Sequence, residues 1–237
     1  LYILYTGGTT GMPKGVMWTQ RDFFLSTIGP LLSLGQTTPD DPAEFVTRAI
    51  ENGGTSVSMP IAPLMHGAAL WAALMAIFGG NTVVLTSQRK LDPHEIWRTV
   101  EREKVMSVSL VGDAMARPLI EALDEPGADY DLSSLFVIGS GGAILSPAVK
   151  AKIVERFPNM LVIDSLGASE TGYQGTVAGT DGQGRPRFAM GAHTTVLDDE
   201  GIPLEPGSGT VGRLARGGYV PLGYYKDPVK TAEVFVE

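Results

Sequence analysis

The sequence predicts an α/β fold: a mainly parallel sheet flanked by helices, followed by a smaller β-rich part. Three observations carry this. Short apolar runs alternate with segments of helical period, the pattern of the strand–helix units that build a parallel sheet. Two helical segments open on a capping residue followed by proline, at Asp92-Pro93 and Ser146-Pro147. From Gly179 onward the chain turns to loop-rich sequence with short strands. The change puts a boundary near 175–190, between an α/β part over 1–178 and a β-rich part over 179–237.

The elements follow in order. LYILY at the start is apolar and aromatic and reads as a strand, and GVMWT after the glycine run reads as a second. Arg21 to Leu34 has helical character, with a kink or break expected at Gly29-Pro30. Ala43 to Asn52 is a short helix stopped by Gly53-Gly54. SVSMP is a strand, and Ala68 to Phe78, apolar nearly all round, is expected to be a buried helix. NTVVLT is a strand. LDPHEIWRTVEREKV then opens on Asp92 as N-cap, Pro93 at the first helical position and Glu95 at the third. VMSVSLV is a strand, Ala114 to Leu123 a helix, and SLFVIG a strand. SGGAIL is a loop, SPAVKAKIVERF a helix and NMLVIDSLG a strand. TTVLDDEGIPL has the form of a hairpin with Asp-Glu-Gly at its tip.

Composition narrows the function classes. With 237 residues, 43% of them hydrophobic and 19% charged, the chain suits a soluble globular protein with a sizeable core. A formal net charge of -8 argues against broad nucleic-acid binding. The absence of cysteine excludes disulfides, thiolate metal sites and a cysteine nucleophile, and fits a cytoplasmic location. No apolar run is long enough to cross a membrane. The chain opens on Leu1 in a strand-like run and closes in mid-pattern, so it reads as a piece of a longer protein. No two histidines have metal-ligand spacing, and no G-x-S-x-G elbow occurs.

The stretch YTGGTTGMPKG, Tyr5 to Gly15, is the first candidate for chemistry. A Walker loop runs into a helix and carries glycine before its lysine; here Lys14 follows Pro13, which has no N–H, and both flanks read as strands. Thr6, Thr9 and Thr10 bring hydroxyls, the glycines bring closely approachable amides, and Lys14 brings charge. Taken alone, the stretch reads equally as a surface hairpin tip. GSGGA sits between the end of a strand and a helix, the edge where ligands gather in open α/β sheets, though a tight turn needs glycine as well. Taken alone, His66 reads as a packing histidine at a helix start and Glu170 as a residue that begins a solvated turn.

YTGGTTGMPKG closely resembles the signature loop of the adenylate-forming superfamily, which includes acyl-CoA synthetases, luciferases and adenylation domains. The usual string is Y-T-S-G-T-T-G-x-P-K-G, and Gly7 stands where serine is commonest. Further matches come in the family's order: PLMHG, GSGGAILS, DSLGASETG, LDDEGIPLEPGSGTVGRLARG and GYYKDPVKTAEVF. They cover nearly the whole chain. The resemblance is to the acyl-CoA synthetase branch, over part of its large N-terminal domain, and it makes the β-rich part a distorted barrel. YTGGTTGMPKGVMW also resembles actinobacterial synthetases for long-chain or bulky, steroid-like acids.

The resemblance implies roles residue by residue. Thr6, Gly7, Gly8, Thr9, Thr10, Gly11 and Lys14 hold the β- and γ-phosphates of ATP, and the loop is expected to be poorly ordered without nucleotide. Gly141, Gly142 and Ala143, with Asp164, Ser165, Leu166 and Gly167, hold adenine. Ser169 meets the α-phosphate and Glu170 holds Mg²⁺. Thr6, Lys14 and Glu170 form the catalytic set. His66 and Gly67 border the acid, with Trp71 beyond. Ser169 replaces the usual threonine and keeps its hydroxyl; Leu166 replaces the usual tyrosine and loses stacking, which implies somewhat weaker ATP binding.

Amino-acid-activating relatives carry aspartate at the Gly67 position to pair with an ammonium, and an unpaired buried ammonium is costly. The expected substrate is therefore a carboxylic acid without an α-amino group, fatty or bulky and apolar. The implied reaction makes acyl-AMP and pyrophosphate from acid and ATP, then acyl-CoA from acyl-AMP and CoA. A carrier protein in place of CoA, and a non-catalytic nucleotide-binding module, are the alternatives. The ribose-binding aspartate and the C-terminal domain with its catalytic lysine are expected beyond Glu237, so residues 1–237 alone are expected to be inactive. The resemblance also admits a homodimer.

Overall fold

The computed structural model describes residues 1–7, 12–33, 42–181, 186–191 and 193–236. In chain order the elements are β1 (Tyr2–Thr6), β2 (Lys14–Trp18), α1 (Gln20–Ser33), α2 (Pro42–Asn52), β3 (Val57–Pro60), α3 (Gly67–Phe78), β4 (Thr82–Val83), α4 (Pro93–Glu103), β5 (Ser107–Leu110) and α5 (Gly112–Ala122). There follow β6 (Val137–Gly141), α6 (Pro147–Arg156), β7 (Leu161–Ala168), β8 (Gly172–Thr180), β9 (Pro186–Met190), β10 (Thr194–Leu197), β11 (Arg213–Arg216), β12 (Gly223–Tyr224) and α7 (Pro228–Val234). The chain divides into two units, one formed by Leu34–Ser165 and the other by Leu1–Ser33 with Leu166–Glu237.

The middle unit is the parallel sheet that the sequence predicts. Its strands lie in the order β4-β3-β5-β6-β7, and every pairing is parallel. The helix signals hold at residue level. The Asp92 side chain accepts from the Glu95 amide at 3.1 Å, and Pro93 occupies the first turn of α4. The Ser146 hydroxyl accepts from the Val149 amide at 3.4 Å ahead of Pro147 in α6. Helix α4 buries Ile96, Trp97 and Val100, a helical stripe that packs with Val108, Leu119, Ile138 and Ile153. Trp97 is 1% exposed, and its indole N–H donates to the Leu119 carbonyl at 2.8 Å, so this large ring is buried with its one polar group satisfied.

Three elements differ from expectation. Helix α1 runs through Gly29 and Pro30 to Ser33, since a proline removes one ladder bond and a long helix retains the others. NTVVLT forms only a two-residue ladder at β4, an edge strand that among the described residues pairs with β3 alone. Helix α3 buries an alanine face, Ala69, Ala73 and Ala76, and leaves Ile77 exposed rather than being buried all round.

The other unit is antiparallel. β1 and β2 form a hairpin, and β12 pairs with β2 on its far side. β8 pairs with β9, and β10 with β11. The Asp-Glu-Gly hairpin closes with a bridge between Leu197 and Pro203, where the Asp198 carboxylate accepts from the Ile202 amide at 2.7 Å. Leu4, Val16, Trp18, Phe23 and Ile28 are buried in this unit, with Trp18 and Phe23 edge to face at 6.0 Å. Among the described residues no helix is long and apolar enough to cross a membrane.

Candidate functional site

The glycine stretch is the mouth of the β1–β2 hairpin. Thr6 stands opposite Lys14 in the ladder, and Tyr5 opposite Gly15, so the strands deliver a hydroxyl and an ammonium side by side. Gly8, Thr9, Thr10 and Gly11 lie outside the described residues, and with them most of the stretch expected to be poorly ordered. Among the described residues, a Cβ placed on Gly7 meets nothing within 4 Å. Beside the hairpin lies a cleft of about 320 Å³ lined by Tyr5, Met12, Pro13, Lys14, Gly15, Tyr225 and Asp227.

Lys14 leads to Glu170 through a residue that the sequence reading did not single out. The Lys14 ammonium sits 5.7 Å from the centroid of the Tyr224 ring, and the Tyr224 hydroxyl donates to Glu170 Oε1 at 2.8 Å. Burial first, and then the bond to the carboxylate, push the Tyr224 hydroxyl well above its ordinary pKa. Glu170 lies in the turn between β7 and β8, just past a strand end as expected. The turn is closed by the Thr171 amide donating to the Ala168 carbonyl and the Ala168 amide donating to the Thr171 hydroxyl, both at 3.1 Å. The Ser169 carbonyl accepts from the buried Trp18 indole at 3.1 Å, which ties the turn to β2. Leu166 is half-buried and Gly167 exposed.

The middle unit brings together the second glycine loop and the histidine. Gly142 has φ +81, and a Cβ there would stand 3.1 Å from His66 Cε1. Both the backbone and the close imidazole require glycine. His66 is the N-cap of α3, its Nδ1 accepting from the Ala68 amide at 3.3 Å. That bond fixes the ring: it caps the helix and presents its edge to Gly142. Gly67 begins α3, and Trp71 lies half-buried on it, off the Ala69–Ala73–Ala76 face. Gly141 pairs with Ser165, and Asp164 with Ser140, across β6 and β7. Burial raises the Asp164 carboxyl above its ordinary range, against a smaller opposing effect of Lys150. Ala143 leads into Ile144, whose carbonyl accepts from the Asp113 amide at 3.0 Å.

This loop has a brace that sequence reasoning missed. Buried Ser140 accepts from the Gly112 amide at 3.1 Å, and the Asp113 carboxylate accepts from the Ser146 amide at 2.8 Å. The Ser146 bonds, reinforced by Arg117, hold the Asp113 carboxyl below its ordinary value. The available signal was the Gly-Asp pair after strand β5, at the same strand-to-helix edge as GSGGA. The other two histidines have partners of their own. His94 bonds Tyr130 at 2.7 Å and Glu125 at 3.1 Å, and His193 packs edge to face with Tyr219 at 6.2 Å. Among the described residues no group of three His, Cys, Asp or Glu side chains is placed to hold a metal ion.

Comparison with known proteins accords with these motifs. The chain is 45% identical over 239 residues to a medium/long-chain-fatty-acid–CoA/3-oxocholest-4-en-26-oate–CoA ligase of Mycobacterium tuberculosis, covering 99% of this chain and 43% of that protein. It is 47% identical over 238 residues to the medium-chain acyl-CoA ligase Mig of Mycobacterium avium, with the same two coverages of 99% and 43%. The chain thus spans less than half the length of these curated relatives. A crystal structure of a long-chain-fatty-acid–CoA ligase (FadD1) from Archaeoglobus fulgidus shares the fold, with a TM-score of 0.74 over 98% of this chain and 44% of that one, at 20% identity. Residues 1–225 match the profile of the AMP-binding enzymes, and the chain belongs to that family.

Proposed function

We propose that this chain carries the acid-activating part of an ATP-dependent acid–CoA ligase. A carboxylate attacks the α-phosphate of ATP, acyl-AMP forms, and pyrophosphate leaves; the CoA thiol then attacks the acyl carbon and AMP leaves. The observation that carries the reading is the row Lys14, Tyr224, Glu170 at the foot of the glycine hairpin. It gathers a cation for the leaving phosphates and a hard carboxylate oxygen, in the family whose relatives bear the names of acyl-CoA ligases.

Each residue then has a task. Lys14, with Thr6 opposite, binds the leaving pyrophosphate and neutralises its growing charge. Thr9, Thr10 and the glycines Gly7, Gly8 and Gly11 complete that cradle. Ser169 meets the α-phosphate. Gly141, Gly142, Ala143 and the run Asp164 to Gly167 receive adenine, for which a loop free of side-chain bulk at its two glycines is suited. The donor set fits Mg²⁺ arriving with the nucleotide: one carboxylate, Glu170, and no preassembled cage among the described residues, since Mg²⁺ takes one or two carboxylates plus phosphate and water. When bound, the ion supplies charge neutralisation to the phosphates. No general base is needed, because the attacking carboxylate is already ionised at neutral pH.

His66, Gly67 and Trp71 border the acid. No carboxylate stands at the start of α3 to meet an ammonium, so the acid lacks an α-amino group and is fatty or bulky and apolar. The test is acid-dependent exchange of pyrophosphate into ATP by the full-length protein, followed by addition of CoA or a carrier protein. Exchange with a panel of fatty and steroid-like acids, and acyl-CoA as product, are expected. Loading of a carrier protein without acyl-CoA overturns the CoA assignment, and absence of exchange with any acid overturns the enzyme reading.

A further inference from the structure

We propose that Tyr224 is a positioning residue for Glu170, holding one carboxylate oxygen so that the other faces the metal–nucleotide. The proposal rests on the reading of Glu170 as the Mg²⁺ ligand. Tyr224 is 7% exposed, and its hydroxyl donates to Oε1 at 2.8 Å. Among the described residues, Oε2 accepts no hydrogen bond. A carboxylate pinned through one oxygen has its plane fixed and its second oxygen free to ligate singly, which suits the strict octahedral demand of Mg²⁺.

The tyrosine is itself held from behind. Strand β12 pairs with β2, setting Tyr224 opposite Val16. The Tyr224 amide donates to the Thr231 hydroxyl at 2.9 Å, and that hydroxyl donates to the Asp227 carbonyl at 2.7 Å. The neighbouring Gly223 packs against the Thr231 side chain so closely that a Cβ there would clash with it. Phe235 closes the ring edge to face at 5.4 Å. The short helix α7 thus serves as a buttress, and the buried ring transmits its position to Glu170 while its face carries the Lys14 ammonium.

The test uses the full-length protein carrying Tyr224→Phe, which keeps the ring, its packing on Phe235 and its cation-facing surface, and removes only the hydroxyl. The Mg²⁺ concentration for half-maximal pyrophosphate exchange is expected to rise about tenfold, the size expected for losing one hydrogen bond to a charged group. Mn²⁺ binding to the ATP complex, followed by electron paramagnetic resonance, is expected to weaken by a similar factor. The affinity for ATP without metal stays within about twofold, because the hydroxyl touches no phosphate. A lowered Tm with an unchanged metal requirement overturns the proposal by making Tyr224 merely structural. Glu170→Gln is run in parallel: if it leaves Mn²⁺ binding unchanged, the metal reading of Glu170 falls; if it weakens binding while Tyr224→Phe does not, only the positioning role falls.

Discussion

Two glycine loops in this chain use glycine for opposite reasons. At Gly142 the residue is demanded by the protein: φ is +81, His66 presses from one side, and the loop that follows is tied down by bonds from Asp113. At Gly7 no described residue demands it, since among the described residues nothing stands within 4 Å of a side chain there. A glycine fixed by its surroundings and a glycine with open space beside it both appear in sequence within runs of glycine. What separates them is the company they keep: polar bonds from a neighbouring helix start in one case, a facing pair of strands ending in Thr6 and Lys14 in the other.

The largest test of that contrast is beside the β1–β2 hairpin that carries Gly7. Glu170→Ala in the full-length protein is expected to lower pyrophosphate exchange by about 10²–10³-fold, as for other charge-stabilising groups aimed at a transition state, and to lower Tm by a few degrees, because the buried Tyr224 hydroxyl loses its acceptor. A loss of folding instead would make Glu170 part of the scaffold. Next comes Gly142→Ala. A left-handed backbone forced on an L-residue costs about 1–2 kcal/mol, and the imidazole at 3.1 Å must also give way. Calorimetry is expected to show Tm lower by a few degrees, together with weaker nucleotide binding; an unchanged Tm breaks the distinction between the loops.

The Asp113 brace gives a pH-dependent test. Its folded-state carboxyl lies below the ordinary 3.8, so its contribution is present above that value and is lost only as pH falls through the lower folded value. The amide resonance of Ser146 is expected to hold its position down past 3.8 and move only in stronger acid. Movement centred on the ordinary carboxylate range would show that the bond is absent in solution. The smallest effect is at Gly7→Ser. Stability is expected to change by less than about 0.5 kcal/mol, as at open surface positions, while nucleotide affinity rises a few-fold through the regained hydroxyl. A large loss of stability there, read by denaturant titration, would show that both loops need their glycines for the same reason.

Much of the fold is legible because it is written locally. Asp92-Pro93 and Ser146-Pro147 begin helices where caps and proline belong, and the stripe Ile96, Trp97, Val100 marks the buried face of α4. Strand β8 is harder to read, because Gly172, Gly175 and Gly179 interrupt its pattern and its stability comes from pairing with β9. The site divides the same way. Lys14 and Glu170 are found through motifs that resemble a family. Tyr224 is 54 residues from its partner Glu170, and Gly112 is 28 from Ser140, so no local spacing announces either contact. Chemistry that needs a residue type at a fixed offset leaves a trace in sequence, whereas support assembled across the fold shows at most one of its ends, as the Gly112-Asp113 pair after β5 does.

The bond from the Trp18 indole to the Ser169 carbonyl gives the protein its own optical reporter. Indole emission depends on what the ring N–H donates to, and this buried ring donates to the residue that precedes the proposed metal ligand. A nucleotide that reshapes the turn carrying Glu170 will therefore register in the light from Trp18, without any added dye.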